Sequence, residues 1–251
     1  MRTKINHVTV VTMDEQFHVY ENGYVVLEGN TILETGEGEG PADADGTVDG
    51  KNGILMPGMI NTHCHIPMIP FRSLGDDCPD RLRRFLFPLE LETMNRELIG
   101  QSTRYGVCEL LLSGVTSVLD MYYFEDQVAA ACEEMGIRAY VGQTIIDMET
   151  CDSKNTDQSL AMCEELIRKW KGHERIRPVV APHATNTNPP EVLKAAYELA
   201  ERYDVPYTLH VSEMDYELEM FREKYDQTPA EFLYGLGVLG ERTIAAHCIH
   251  M

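Results

Sequence analysis

Two histidines one residue apart, His63-Cys64-His65, close an apolar run that begins Ile54-Leu55-Met56-Pro57-Gly58-Met59-Ile60. At the end of a strand, alternate side chains point the same way, so both imidazoles can reach one metal ion. Imidazole nitrogen is a favoured zinc ligand at roughly 2.0–2.1 Å. The pair alone is a weak signal, because surface or hydrogen-bonded histidines share the spacing; its weight comes from what recurs downstream. His210-Val211-Ser212-Glu213 offers a third nitrogen ligand and, three residues on, a carboxylate suited to moving protons between metal-bound water and a leaving amine. His247, at the end of Ala245-Ala246-His247, is placed to orient hydroxide and stabilise charge on the attacked carbon. His183, after Ala181-Pro182, is placed to hydrogen-bond a substrate ring. His250 reads as a bystander or structural residue, and His7, His18 and His173 lie in surface-like contexts.

These residues matter only if the fold brings them to one place. Residues 1–57 read as a small β module. Runs at 8–12, 24–28 and 31–34 are separated by the turn signals Asn22-Gly23 and Gly29-Asn30, and residues 36–53 read as a surface loop. From residue 58 to 251 apolar strand runs alternate with helical spacing. Helices are expected at 98–113, 124–135, 157–171, 189–203 and 229–236; strands at 114–120, 137–146, 176–181, 205–211 and 243–246. Such alternation predicts a parallel α/β fold with right-handed crossovers. No Gly-x-Gly-x-x-Gly follows a strand, which argues against a doubly wound dinucleotide fold. His63, His65, Asp120, His183, His210, Glu213 and His247 all follow or end strands, where a (β/α)₈ barrel builds its active site.

The totals narrow the partners. With 21 Lys and Arg against 41 Asp and Glu, the chain carries a formal net charge of −20, so a nucleic-acid partner is not expected. No stretch approaches the about 18 apolar residues of a membrane span, and the first residues lack signal-peptide features, so a cytoplasmic address is expected by default. Seven scattered cysteines without a Cys-x-x-Cys pair read as reduced thiols.

With these residues in place, the chain resembles the amidohydrolase superfamily, and within it the methylthioadenosine/S-adenosylhomocysteine deaminases and atrazine chlorohydrolase-like enzymes. The marks are Met56-Pro57-Gly58, Asn61-Thr62-His63-Cys64-His65, Gly114-Val115-Thr116-Ser117-Val118-Leu119-Asp120-Met121-Tyr122, Pro182-His183, His210-Val211-Ser212-Glu213 and Ala246-His247-Cys248-Ile249-His250. The resemblance implies a small N-terminal β-sandwich module beside a distorted (β/α)₈ TIM-type barrel, and one divalent metal, zinc first and iron or manganese second, held by His63, His65 and His210. It implies that Glu213 and His247 act in catalysis, that His183 touches a small heterocyclic substrate, and that Glu90 binds ribose hydroxyls. Binuclear members carry a bridging Lys on the fourth strand; residues 176–181 contain none, which favours a single metal. The implied reaction is release of ammonia from an amino-substituted nitrogen heterocycle.

Two departures from the pattern shape the expectation. The family's last metal-site residue is an Asp after the eighth strand, whereas this sequence supplies about six βα units: fewer than 200 residues follow Pro57, against about 250 for a whole barrel. An N-terminal portion of a longer enzyme is therefore expected. The adenosine-type aromatic stacking residue is not a Trp here; Phe85 or Phe87 takes its place, and Trp170 is expected on an outer helix. Dechlorination, cyclic-amide hydrolysis, or a non-catalytic subunit are the alternative functions. Relatives are often homo-oligomers, and these residues do not decide the state.

Overall fold

The structure, a computed structural model, describes residues 1–251. The chain divides into two compact units, Met1–Met59 and Ile60–Met251. The first is a single four-stranded sheet of β1 (Arg2–Val11), β2 (Val19–Glu28), β3 (Thr31–Glu37) and β4 (Gly46–Leu55), in the order β3-β2-β1-β4. β1 and β2, like β2 and β3, are antiparallel, and β4 lies parallel to β1. Val8, Val10 and Val25 form its core, with Ile5, Tyr20, Leu27 and Leu55 packed against them.

Two local expectations fail in this sheet. Asn22-Gly23 is not a turn but the middle of β2, where a Cβ on Gly23 would come within 2.8 Å of the Tyr20 Cβ and 2.9 Å of Val10. That glycine serves close packing. The expected loop at 36–53 contains most of β4, none of whose residues is fully buried, so no hydrophobic alternation marks it in the sequence. Its Gly50 is required by packing, since a Cβ there would overlap the Val8 side chain at 2.0 Å.

The second unit carries six strands in sequential order, β5 (Met59–Cys64), β6 (Val115–Tyr122), β7 (Arg138–Ile145), β8 (Ile176–Pro182), β9 (Tyr207–Val211) and β10 (Thr243–His247). β6 through β10 pair in parallel. A short helix α1 (Phe87–Thr93) and the long α2 (Arg96–Leu112) link β5 to β6. α3 (Glu125–Met135), α4 (Thr156–Trp170) and α5 (Pro190–Tyr203) follow β6, β7 and β8; α6 (Asp215–Tyr225) and α7 (Pro229–Leu236) both precede β10. Asn95 and Asn155 cap α2 and α4 through their side-chain oxygens, and Thr228 with Glu231 forms a reciprocal cap on α7.

The sheet is rolled. Five strand spacings of about 4.8 Å would part β5 from β10 by about 24 Å in a flat sheet. The His63 and His247 rings, at the ends of β5 and β10, are instead 5.1 Å apart. This is a partial TIM-type barrel. Met121, Val179 and Ala181 form one interior cluster. Larger clusters include Ile99, Val107, Val128 and Ile137 in one and Cys163, Leu193, Leu199 and Leu233 in the other, where helices pack on strands. Two α-helices went unpredicted, α1 and α6. Each buries a single turn's worth of side chains, Glu90 in α1 and Glu217 with Phe221 in α6, too few to set a 3.6-residue period.

Candidate active site

Strand ends and the turns after them bring His63, His65, His183, His210, Glu213 and His247, together with Glu90 of α1, to one cavity of about 310 Å³. His63 is the penultimate residue of β5 and His65 follows the strand; His183 follows β8; His210 lies in β9; Glu213 is two residues past it; His247 closes β10. The His63 ring lies 4.8 Å from those of His65 and His210, and the His183 ring 4.7 Å from that of His210. A larger cavity of about 700 Å³ shares Phe87 with this one but contains none of the histidines. Phe87 meets His183 edge-on at 5.7 Å, whereas Phe85 packs against Gly75 and lines neither cavity.

Backbone carbonyls set the imidazole tautomers. His65 Nδ1 lies 2.5 Å from the Met121 carbonyl oxygen, and His210 Nδ1 lies 2.6 Å from that of His183. A carbonyl only accepts, so Nδ1 carries the proton on both rings and Nε2 presents a lone pair. The two Nε2 atoms face each other at 3.4 Å. Two nitrogens at 2.0–2.1 Å from a tetrahedral zinc are separated by about 3.3–3.4 Å, so the spacing suits a shared cation. Both His63 ring nitrogens are buried without a hydrogen-bond partner. One nitrogen each of His63, His210 and His247 also lies within 4.8 Å of the others. A divalent ion fits this donor set: it would satisfy orphaned nitrogens that no protein group satisfies.

Charge at the site follows from burial. Burial, then the neighbouring His65 and His247, lowers His63 to about 4. Burial lowers His183 to about 3 and His210 well below its ordinary value. These rings are therefore neutral at pH 7, the form that ligates metal. His183 Nδ1 lies 3.0 Å from the Thr187 hydroxyl, which itself donates to the Ala184 carbonyl, so His183 Nε2 is left as an acceptor. The buried Glu90 accepts the Tyr122 hydroxyl at 2.6 Å, and burial raises it to about 7 against hydrogen bonds from Tyr122 and Tyr123. Glu213 Oε2 lies 3.7 Å from His247 Nε2. His250 is engaged by Asp215 at 3.2 Å, outside the cavity. Asp120 also lies outside it; its carboxylate turns toward the backbone of Ile66.

Sequence reasoning missed Glu217. Only 2% exposed, it accepts the Glu213 N–H at 2.9 Å, the Ser212 N–H at 3.3 Å and the Thr185 hydroxyl. It thereby holds the turn that carries Glu213, where Ser212 has a φ of 51°. In the sequence it is one acid in a polar run; the only hint is Phe221, four residues on and buried on the same helix face.

Residues 54–251 match the amidohydrolase family. The chain belongs to the amidohydrolase family. It is 36% identical over 255 residues to a 5-methylthioadenosine/S-adenosylhomocysteine deaminase of Caldanaerobacter subterraneus, covering 100% of this chain and 58% of that relative. A zinc-bound adenosine deaminase from Xanthomonas campestris superposes with a TM-score of 0.93 at 30% identity, over 99% of this chain and 58% of that one. A triazine hydrolase from Arthrobacter aurescens shares the fold, with a TM-score of 0.90 at 23% identity over 100% of this chain and 61% of its own. The chain thus spans just over half the length of these relatives.

Glu217→Ala should destabilise the chain by about 1–3 kcal/mol, because it strands two N–H groups buried with it. Denaturant unfolding measures that loss, and faster amide exchange at Ser212 and Glu213 localises it; unchanged exchange there would contradict the role given to Glu217.

Proposed function

We propose that this chain forms the active site of a metal-dependent hydrolase that deaminates an amino-substituted nitrogen heterocycle of the adenosine type. The observation that carries the reading is the convergence of unprotonated imidazole nitrogens, with Nε2 of His65 and His210 only 3.4 Å apart, beside a carboxylate on the cavity wall. His63, His65 and His210 hold one divalent ion, zinc by preference, with iron or manganese compatible with the same donors. When bound, that ion supplies Lewis acidity that makes water nucleophilic near neutral pH.

The chain's own residues do the rest. Glu213 takes a proton from the attacking water and passes it to a ring nitrogen, which makes the amino-bearing carbon electrophilic. His247, 3.7 Å from Glu213, stabilises charge developing on the added oxygen. The second proton leaves with the amino group, so water and the amine become a ring carbonyl and ammonia. His183 offers its Nε2 lone pair to a ring donor, Phe87 packs at the same wall, and Glu90 accepts hydroxyls of a sugar-like substituent. The names of the relatives, deaminases of adenosine-type compounds among them, support this choice of substrate. All seven cysteines are free, which supports a reducing, cytoplasmic setting, and no helix is long and apolar enough to cross a membrane.

Glu213→Gln is expected to lower turnover by at least about 100-fold, the scale of a lost general acid–base, while metal content stays at the wild-type level. Ammonia release and elemental analysis on the same preparation test this; retained turnover would remove Glu213 from its role. Glu90 yields a pH prediction. Its carboxyl is protonated below about 7 and ionised above it. An ionised carboxylate accepts sugar hydroxyls better than a neutral acid does, so affinity for a nucleoside should rise between pH 6 and 8. Glu90→Gln should flatten that rise, as read by calorimetric titration.

A further inference from the structure

The helix that brings Glu90 to the cavity wall is too short to hold it there by itself. α1 runs only from Phe87 to Thr93, and no side chain caps its start. A helix of about two turns has little stability of its own, because nucleation costs more than so few hydrogen bonds offset. Glu90, only 4% exposed, is its one buried residue, and Leu89 packs against the core only in part. The centre of α1 is therefore seated by a carboxyl group, and a buried carboxyl needs a donor from outside its own helix.

Tyr122 supplies that donor. It is the last residue of β6, buried among the side chains between the strands and their helices, and it also lines the cavity. Its ring lies 4.8 Å from that of Tyr123 and 6.2 Å from that of His65, so it is packed on two sides. Its hydroxyl donates to Glu90 Oε1 at 2.6 Å, the separation of a hydroxyl bonded to a carboxylate. A carboxylate offers about four acceptor positions, so this one bond leaves others for substrate hydroxyls.

We propose that Tyr122 is a positioning residue: by holding the Glu90 carboxyl at the cavity wall, its hydroxyl makes the site bind a sugar-bearing heterocycle in preference to the bare ring. The inference rests on the reading of Glu90 as the acceptor of sugar hydroxyls. Without the Tyr122 hydroxyl, the buried carboxyl either takes up a proton or turns toward water, and in both cases it accepts a sugar hydroxyl less well. The heterocycle itself is held by other groups, so its binding does not depend on Tyr122.

The test is calorimetric titration of the zinc-loaded chain with adenosine and with adenine. Tyr122→Phe keeps the ring and removes only the hydroxyl. It should weaken adenosine binding by about 10-fold, the scale of a hydrogen bond to a charged group, and leave adenine within about 2-fold of wild type. In a Glu90→Ala background the same change should alter adenosine affinity by less than about 2-fold, because the group through which Tyr122 acts is gone. Three results overturn the proposal: adenosine binding unchanged in Tyr122→Phe, equal losses for adenosine and adenine, or the full loss persisting without Glu90. The unchanged adenine affinity also reports that the variant's site is intact. A wild-type chain that binds neither compound, or binds both alike, overturns the reading of Glu90 and the proposal with it. A wild-type preference for adenosine that survives in Tyr122→Phe overturns the proposal alone.

Discussion

A cavity that gathers five imidazoles must keep most of them uncharged, and the rest of the structure follows from how this is done. Two like charges a few ångströms apart in a poorly hydrated space repel strongly, and burial alone disfavours each protonated ring. Hence His63 is lowered to about 4 and His183 to about 3. Neutrality leaves the tautomer open, and the tautomer decides whether a lone pair or a proton faces the cavity. Here strand-end carbonyls decide it: those of Met121 and His183 take the Nδ1 protons of His65 and His210. Such carbonyls are available only because a parallel sheet rolled into a barrel presents every C-terminal strand end at one mouth.

Backbone alone does not hold the two turns that leave this mouth with functional side chains. Each is backed by a buried acid on the following helix or strand. Glu217 ties the Ser212-Glu213 turn, and Asp120 ties the turn after His65. The two differ in their donors. Glu217 has three to satisfy its oxygens, whereas only one oxygen of Asp120 is hydrogen-bonded.

Much of this was legible in the sequence, for a physical reason. A strand end followed by a polar residue changes character abruptly, so the positions of His63, His65, His183, His210 and His247 could be read from where apolar runs stop. The long amphipathic helices were readable because they bury a whole face; α6, which buries two side chains, was not. β4 escaped notice because neither of its faces is dry, and Gly23 misled because a glycine required by packing looks the same as one required by a turn. Asp120 was noticed for its place at a strand end, but alternation along β6 turns it away from the cavity, so it supports the site from behind. Glu217 could not be distinguished from a solvated helix acid, because what sets it apart is its contact with an irregular piece of backbone at Ser212 and Glu213.

The most direct measurement is metal content per chain, by elemental analysis after zinc loading and desalting, on the wild-type chain and on His65→Ala, His210→Ala and His247→Ala. One zinc per wild-type chain, lost on replacing His65 or His210 and kept on replacing His247, is the predicted result. No stoichiometric metal in the wild type, or a site lost with His247 and indifferent to His65, would contradict the assignment of ligands on which the account depends.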